Sequence, residues 1–414
     1  MFVSKEIDIL CLMGLFPKEY ENEILKCSKG AVQNAANKFQ WSIVNGLDQH
    51  EGVNVTIANS LYIGSYPKRY SKMKIPTFKF QHSKSSEDIN IGFNNLSLYK
   101  MFSRYCSIKK YIKKWINKDT KNQKVVLAYA MATPFVEIIY YIKKICPEII
   151  CCLVVPDLPE YMNVTNNDKK LYRLAKQNQV KYFKHKLEKI DGYIFLTKYM
   201  EEWFDFKVCY KVIEGITDVR KDDNEIVKKK NEQKTIVYAG AIEEKYGVLE
   251  LVKSFNKIDK PEWNLELFGI GTSLSIIEQI AKEDKRIHIN GLVPNKTVVN
   301  EEKNADILIN PRNDEYEFTK YSFPSKTIEY MTTGTPMIGY KLSGMPEEYR
   351  NYFYEISNCE DGMKKTLMYV MGLSDAERET KGRKAKQFVI NQKNAKKQCE
   401  KIVELINEIN SKGE

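Results

Sequence analysis

Histidine is scarce. The four in 414 residues, His50, His82, His185 and His288, stand too far apart for metal-ligand spacing, so no histidine-built zinc site is expected. Nine cysteines are scattered, odd in number and mostly inside apolar runs, with no CxxC pair. That speaks against a disulfide framework and for buried, reduced thiols. No run approaches the roughly 18 uncharged apolar residues of a membrane span. The opening MFVSKEIDILCLMGLF is broken by Lys5, Glu6 and Asp8, so it reads as a first strand rather than a secretory leader, and a cytoplasmic protein is expected. A complete dinucleotide fingerprint is also missing. Gly269-Ile270-Gly271 is followed by Leu274 where a third glycine or alanine belongs, which counts against an NAD-dependent oxidoreductase.

What is present is a chain with 43% hydrophobic residues, enough for full cores, and a net charge of +11. The charge is lopsided: residues 1–216 hold 33 Lys and Arg against 21 Asp and Glu, leaving the remainder close to neutral. It is densest in RYCSIKKYIKKWINK, residues 104–118, and in KHKLEK, residues 184–189. In the first, Tyr105, Ile108, Ile112, Trp115 and Ile116 fall near one helical face with lysines around them. That is either a surface element for an anionic membrane or a solvated helix packing its apolar stripe on the core. No recognisable nucleic-acid module accompanies the basic residues, and no nucleic-acid partner is expected.

Apolar strand-like runs alternate with helix-like segments, the pattern of parallel sheets flanked by helices. In the first half the strands are Ile7 to Leu12, Val53 to Ala58, Val125 to Tyr129, Ile149 to Val155 and Tyr193 to Leu196. A helix lies within residues 28–47, with Asn34 and Asn37 on one side of its first turns, either sugar-binding amides or an incidental polar face. Asp157 follows directly on the fourth strand, where open α/β sheets collect ligands; capping or turn formation is the plainer reading. The expected domains are 1–216, a charged linker at 217–233, a second α/β domain at 234–375, and terminal helices at 376–414 packing back toward the first domain.

The richest stretch is NPRNDEYEFTKYSFPSKTIEYMTTGTPMIGYKLSGMP, Asn310 to Pro346. Pro324 suits the start of a helix and Gly334 a left-handed exit, so residues 324–333 read as a short capped helix. Lys326 and Glu329 share one face near its N-terminus, offering a cation for phosphate and an acceptor for a hydroxyl pair. Gly240, after the strand Thr235 to Ala239, is followed by Lys245, which either reaches a phosphate or stands in solvent.

FPSKTIEYMTTGTP followed by GMPEEY, with a glycine turn and a lysine early in the second domain, resembles the retaining glycosyltransferases of family 4. Closest in pattern are bacterial enzymes assembling capsular or exopolysaccharide repeats. The resemblance implies the GT-B fold, two Rossmann-like doubly wound domains facing across a cleft. It also implies transfer of a hexose-type sugar from a nucleotide diphosphate sugar, UDP- or GDP-linked, to a glycan or lipid-linked glycan. No metal or further cofactor is implied, because helix amides and basic side chains neutralise the leaving nucleotide. Glu329 would bind the donor ribose, the turn Phe323-Pro324-Ser325-Lys326 the diphosphate, and the loop around Val293 the base. Gly240, Lys245 and Arg312 would line the phosphates, and Asp157, Asn34 and Asn37 the acceptor.

Three positions depart from the family pattern. Tyr321 stands where a glutamate is usual, leaving Glu315, Glu317 or Arg312 to supply the sugar contact. Ala241 stands where an arginine is frequent, with Arg312 as the substitute charge. Asp157 occupies a strand end where many members carry histidine. Tyr321 and Ala241 keep open a catalytically silent protein that binds glycan or partners a true transferase. Either form would be cytoplasmic, on the inner face of the plasma membrane if residues 104–118 bind lipid.

Overall fold

Central parallel strands are buried on both faces, so they must be nearly continuous apolar runs. Those runs dictate the two large sheets among the described residues. The computed structural model describes residues 6–30, 32–159, 182–217 and 233–413. Most of the expected linker, and the polar segment 163–170, lie outside them. The chain divides into two compact units, Met1–Ile216 with Ala395–Glu414, and Thr217–Asn394.

The described strands of the first unit are β1 (Ile7–Met13), β2 (Val53–Asn59), β3 (Lys74–Ile75), β4 (Phe78–Phe80) and β5 (Asp88–Asn90), then β6 (Phe93–Asn94), β7 (Gln123–Tyr129), β8 (Ile150–Val155), β9 (Gly192–Phe195) and β10 (Tyr210–Val212). Eight of them form one sheet in the order β10-β9-β8-β7-β1-β2-β5-β4, while β3 and β6 pair separately. All neighbours in the large sheet run parallel except β4 and β5. Every residue of β8 is buried. The helix Ala395–Gly413 returns to this unit, where Cys399, Ile402, Leu405 and Ile406 share a core with Trp41, Ile43, Val44 and Leu47 of the helix Asn34–Leu47.

The second unit holds β11 (Lys234–Ala239), β12 (Trp263–Phe268), β13 (Ile287–Gly291), β14 (Ile307–Asn310), β15 (Met337–Gly339) and β16 (Tyr354–Glu355). They form a wholly parallel sheet in the order β13-β12-β11-β14-β15-β16. This is the doubly wound arrangement of a Rossmann sheet, whose strand order reverses between its first and fourth members. The short strands β3 to β6, β10, β15 and β16 are absent from the sequence reading, being too brief or too polar to show a period.

The terminal segment is shared out. Helix Asp375–Gln392 starts at a Ser374/Glu377 capping box and buries Ala385, Phe388 and Val389 with Met331 and Tyr349 in the second unit. The helix Ala395–Gly413, by contrast, belongs to the first unit. The apolar stripe of residues 104–118, read either as a membrane surface or as core packing, is settled by its burial. On helix Lys100–Ile116, Ile108 and Ile112 are fully buried, so that stripe is core. What faces solvent is a different set, Leu98, Tyr99, Met101 and Phe102, followed along the helix by the exposed Lys110, Lys113 and Lys114. Among the described residues no helix is long and apolar enough to cross a membrane.

Candidate functional site

In the second unit the strand order reverses between β11 and β14, and the loops leaving their carboxyl ends carry most of the expected residues. Gly247 has φ +74°, and a Cβ there would stand 2.1 Å from the Pro311 carbonyl oxygen. Only glycine allows the two loops to touch in this way. Gly269, at the end of β12, has φ +138° and packs its α-carbon onto the Gly240 carbonyl, where a Cβ would come within 1.8 Å. Three strand-end loops are thereby held against one another.

Lys245 lies in the short turn Glu244–Tyr246, its Nζ 5.3 Å from the Tyr246 ring centre. Arg312, two residues beyond β14, is half-buried. Its Nη2 donates to Ser322 Oγ at 2.6 Å, its guanidinium lies 4.6 Å from the Phe318 ring centre, and its Nε has no partner. Burial pushes the Arg312 pKa down. Among the described residues neither cation has a carboxylate at ion-pair distance.

Helix Ser325–Thr333 connects two parallel strands, so its N-terminus sits at the carboxyl end of the sheet with these loops. Pro324 is its extended N-cap, no side chain caps it, and its first hydrogen bond runs from the Thr327 amide to the Pro324 carbonyl at 2.8 Å. Gly334 makes the expected left-handed exit at φ +80°. Lys326 and Glu329 meet on one face at 3.1 Å. Lys326 also pairs at 3.3 Å with Glu302 of helix Asn295–Asn304, a residue the sequence reading missed. Glu302 is fully buried, its Oε2 has no partner, and burial raises its pKa to about 7 despite the nearby lysine. A second missed residue is Asp314. Its Oδ1 accepts the Thr319 hydroxyl at 2.7 Å and its Oδ2 the Ser343 amide at 3.0 Å, which fixes the loop carrying Arg312.

The remaining expected donor residues are placed as follows. Phe323 is buried against Tyr349, 5.2 Å between ring centres, so its side chain is core and only its backbone is free to serve a ligand. Val293 packs on the same cluster from the loop after β13. Ser325 is exposed at the helix start and Tyr321 is half-exposed, with Lys320 5.6 Å over its ring. Gly240 donates its amide to the Phe268 carbonyl at 2.9 Å. Glu315 and Glu317 are exposed.

In the first unit Asp157 stands two residues past β8. It reaches solvent, yet desolvation by the surrounding protein raises its carboxyl pKa, and its charge is felt by the buried Tyr129 at the end of β7. Asn34 is exposed. Asn37 is different. Its Oδ1 accepts the Phe16 amide at 2.7 Å and its Nδ2 donates to Glu21 at 3.5 Å, so the expected sugar-binding amide is an anchor for the loop after β1. Gln40 and Trp41 serve the same loop, at Gly14 and Phe16.

Residues 219–387 match the sequence profile of the family described as Glycosyl transferases group 1. No curated protein matches the chain. Among solved structures it is similar to sucrose-phosphate synthase from Thermosynechococcus elongatus, at 13% identity and TM-score 0.60 over 98% of this chain and 100% of that one. It is also similar to the lipopolysaccharide outer core galactosyltransferase WaaB in its apo form, at 12% identity and TM-score 0.59 over 97% and 99%. A third is an E. coli structure titled as trehalose-6-phosphate bound with UDP-2-fluoro glucose, at 9% identity and TM-score 0.60 over 97% and 99%. The fold is GT-B. In this GT-B chain the profile covers the β11–β14 loops and the helix Ser325–Thr333, so the second-unit part of the site falls within the matched residues and Asn34, Asn37 and Asp157 outside them. Two cations without carboxylate partners at the same end of the sheet as an uncapped helix N-terminus are an arrangement that can favour an anion, and the Glu329 carboxylate, paired with Lys326, can accept hydroxyl hydrogen bonds.

Proposed function

We propose that the protein is a retaining glycosyltransferase of the family 4 type. It moves a hexose-type sugar from a nucleotide diphosphate sugar to a glycan acceptor carried on lipid, in the assembly of a surface polysaccharide. The carrying observation is that Lys245 and Arg312, without carboxylate partners among the described residues, and the N-terminus of helix Ser325–Thr333, which no side chain caps, all lie at the carboxyl end of the second unit's sheet around its reversal of strand order. A diphosphate leaving group needs that positive charge developed in advance, and fixed amides and cations supply it without reorganisation. Glu329 would position the ribose, the backbone of Phe323 to Lys326 the diphosphate, Gly240 its close approach, and the loop at Val293 the base. Asp157, its carboxyl kept more basic by desolvation, would orient or deprotonate the acceptor hydroxyl. A structural neighbour bound with UDP-2-fluoro glucose supports a nucleotide-sugar donor.

The deciding experiment is a screen of nucleotide sugars for transfer or hydrolysis, with Glu329→Ala measured beside the wild type by calorimetry. Loss of roughly tenfold or more in donor affinity is expected; unchanged affinity for every nucleotide sugar would sink the assignment. A second reading, a silent GT-B protein that binds glycan or partners a transferase, is favoured by Tyr321 and Ala241. Thermal shifts with UDP, GDP and CMP separate the two, since the silent form gains no stability from any of them.

A further inference from the structure

We propose that Lys100 and Arg104 form an anion subsite in the first unit that receives a phosphoryl group of the acceptor. The two residues lie four apart on helix Lys100–Ile116, hence on one face, and are only 8% and 4% exposed. Five cations are buried among the described residues. Lys186 pairs with Glu137, Arg378 with Asp375 and Lys393 with Glu348. Lys100 and Arg104 have no carboxylate among the described residues, only neutral oxygens and the rings of Tyr62, Phe93 and Phe135, which lie 5.2–5.5 Å from the Arg104 guanidinium. Lys100 Nζ donates to the Ile63 carbonyl, Arg104 Nε to Ser60 Oγ at 2.9 Å, and Arg104 Nη2 to the Ser60 carbonyl at 2.6 Å. Among the described residues Arg104 Nη1 has no hydrogen-bond partner, and it is not wholly shut off from solvent.

Burying two like charges without a counter-ion is costly, and the protein tolerates it here on one helix face. Desolvation, with repulsion from Arg104, lowers Lys100 to about 8, and desolvation lowers Arg104 to about 10. The place is also that of a ligand. Ser60 and Ile63 follow the carboxyl end of β2. The Arg104 guanidinium lies 5.2 Å from the Tyr62 ring centre, and the Tyr62 hydroxyl donates to the Tyr129 carbonyl at the end of β7. The Tyr62 ring covers Gly14, at the end of β1. Strands β1 and β7 bracket the reversal of order in this sheet, where open α/β sheets bind ligands. A guanidinium with a free N–H beside an ammonium suits a phosphate or diphosphate, which carries enough charge for both.

The word acceptor rests on the transferase reading; the anion site does not. Because the second unit would bind phosphates too, the test uses full-length protein carrying Lys245→Ala, Arg312→Gln and Lys326→Ala. Inorganic pyrophosphate at saturation is expected to raise Tm by about 2 °C or more. Adding Lys100→Met should abolish that shift while leaving the anion-free Tm equal or higher, whereas a lysine serving only to tie the 60–63 loop would lower it. Arg104→Lys, which keeps charge but loses the fork, should weaken pyrophosphate about tenfold. Decyl diphosphate is the second probe: a larger shift than pyrophosphate assigns the phosphate to a lipid carrier, an equal one to a soluble sugar phosphate, and both support the site. No pyrophosphate shift, or one that survives Lys100→Met, overturns it. UDP binding by the wild type is read separately, so failure here leaves the transferase reading standing.

Discussion

At the scale of single residues, the unusual group is Glu302. Its carboxyl is raised by burial to about 7, above the ordinary glutamate value, so the fold favours its neutral form. That preference is fully present below the ordinary value near 4.5 and is lost as pH rises through about 7. The ionised form also competes for Lys326. Affinity for a nucleotide sugar, whose diphosphate diester does not titrate in this range, should therefore be higher at pH 6 than at pH 8. In Glu302→Gln that pH dependence should vanish, and the variant should be at least as stable as wild type at pH 8. Calorimetry and thermal melts at the two pH values check both statements.

At the scale of elements, the site depends on loops held together by close approach and by buried charge. Gly247→Ala places a methyl group against the Pro311 carbonyl in a left-handed backbone, which costs about 1 kcal/mol or more from conformation alone. Lower Tm and weaker donor binding are expected together, measured by melting and calorimetry. In the first unit, His82 bridges elements by contacting Asp88 at 2.6 Å and Asp48 at 3.1 Å, with its side chain almost wholly buried. Burial alone would lower its pKa, but hydrogen bonds and charge from the two aspartates win and raise it to about 9. Asp88 is desolvated too, yet its bonds to His82, the Ile57 amide and Ser86 lower it. The histidine's contribution is complete below about pH 6.5 and lost through about 9; the aspartate's is lost only as pH falls below the ordinary aspartate range. Stability should decline between pH 6.5 and 9, and His82→Gln should lower Tm at pH 6 while flattening that decline.

At the scale of the whole molecule, charge asymmetry and an exposed apolar tip lie in the same unit. Leu98, Tyr99, Met101 and Phe102 are exposed ahead of Lys110, Lys113 and Lys114, and residues 1–216 carry the excess of basic residues. If the protein binds an anionic membrane, these apolar side chains would enter the interface and the lysines would meet headgroups. Co-sedimentation with vesicles rich in phosphatidylserine or phosphatidylglycerol should fall as salt rises, and Leu98→Ser with Phe102→Ser should reduce it at every salt concentration. Binding that ignores lipid charge would remove this role.

The alternation of strands and helices is legible from the chain alone, because apolar periods are local and survive without partners. The helix Ser325–Thr333 with Lys326 and Glu329 on one face was legible too, since residues three apart in a helix are neighbours in any fold. Only tertiary structure decided what each polar group touches. Glu302 reaches Lys326 from a helix earlier in the chain, Asn37 spends its amide on the Phe16 backbone, and Ile108 and Ile112 turn inward while Phe102 turns out. The physical reason is common to these cases. A side chain's type sets what it can bond, but burial and the groups brought beside it by distant segments set whether that capacity is used by the protein or left for a ligand.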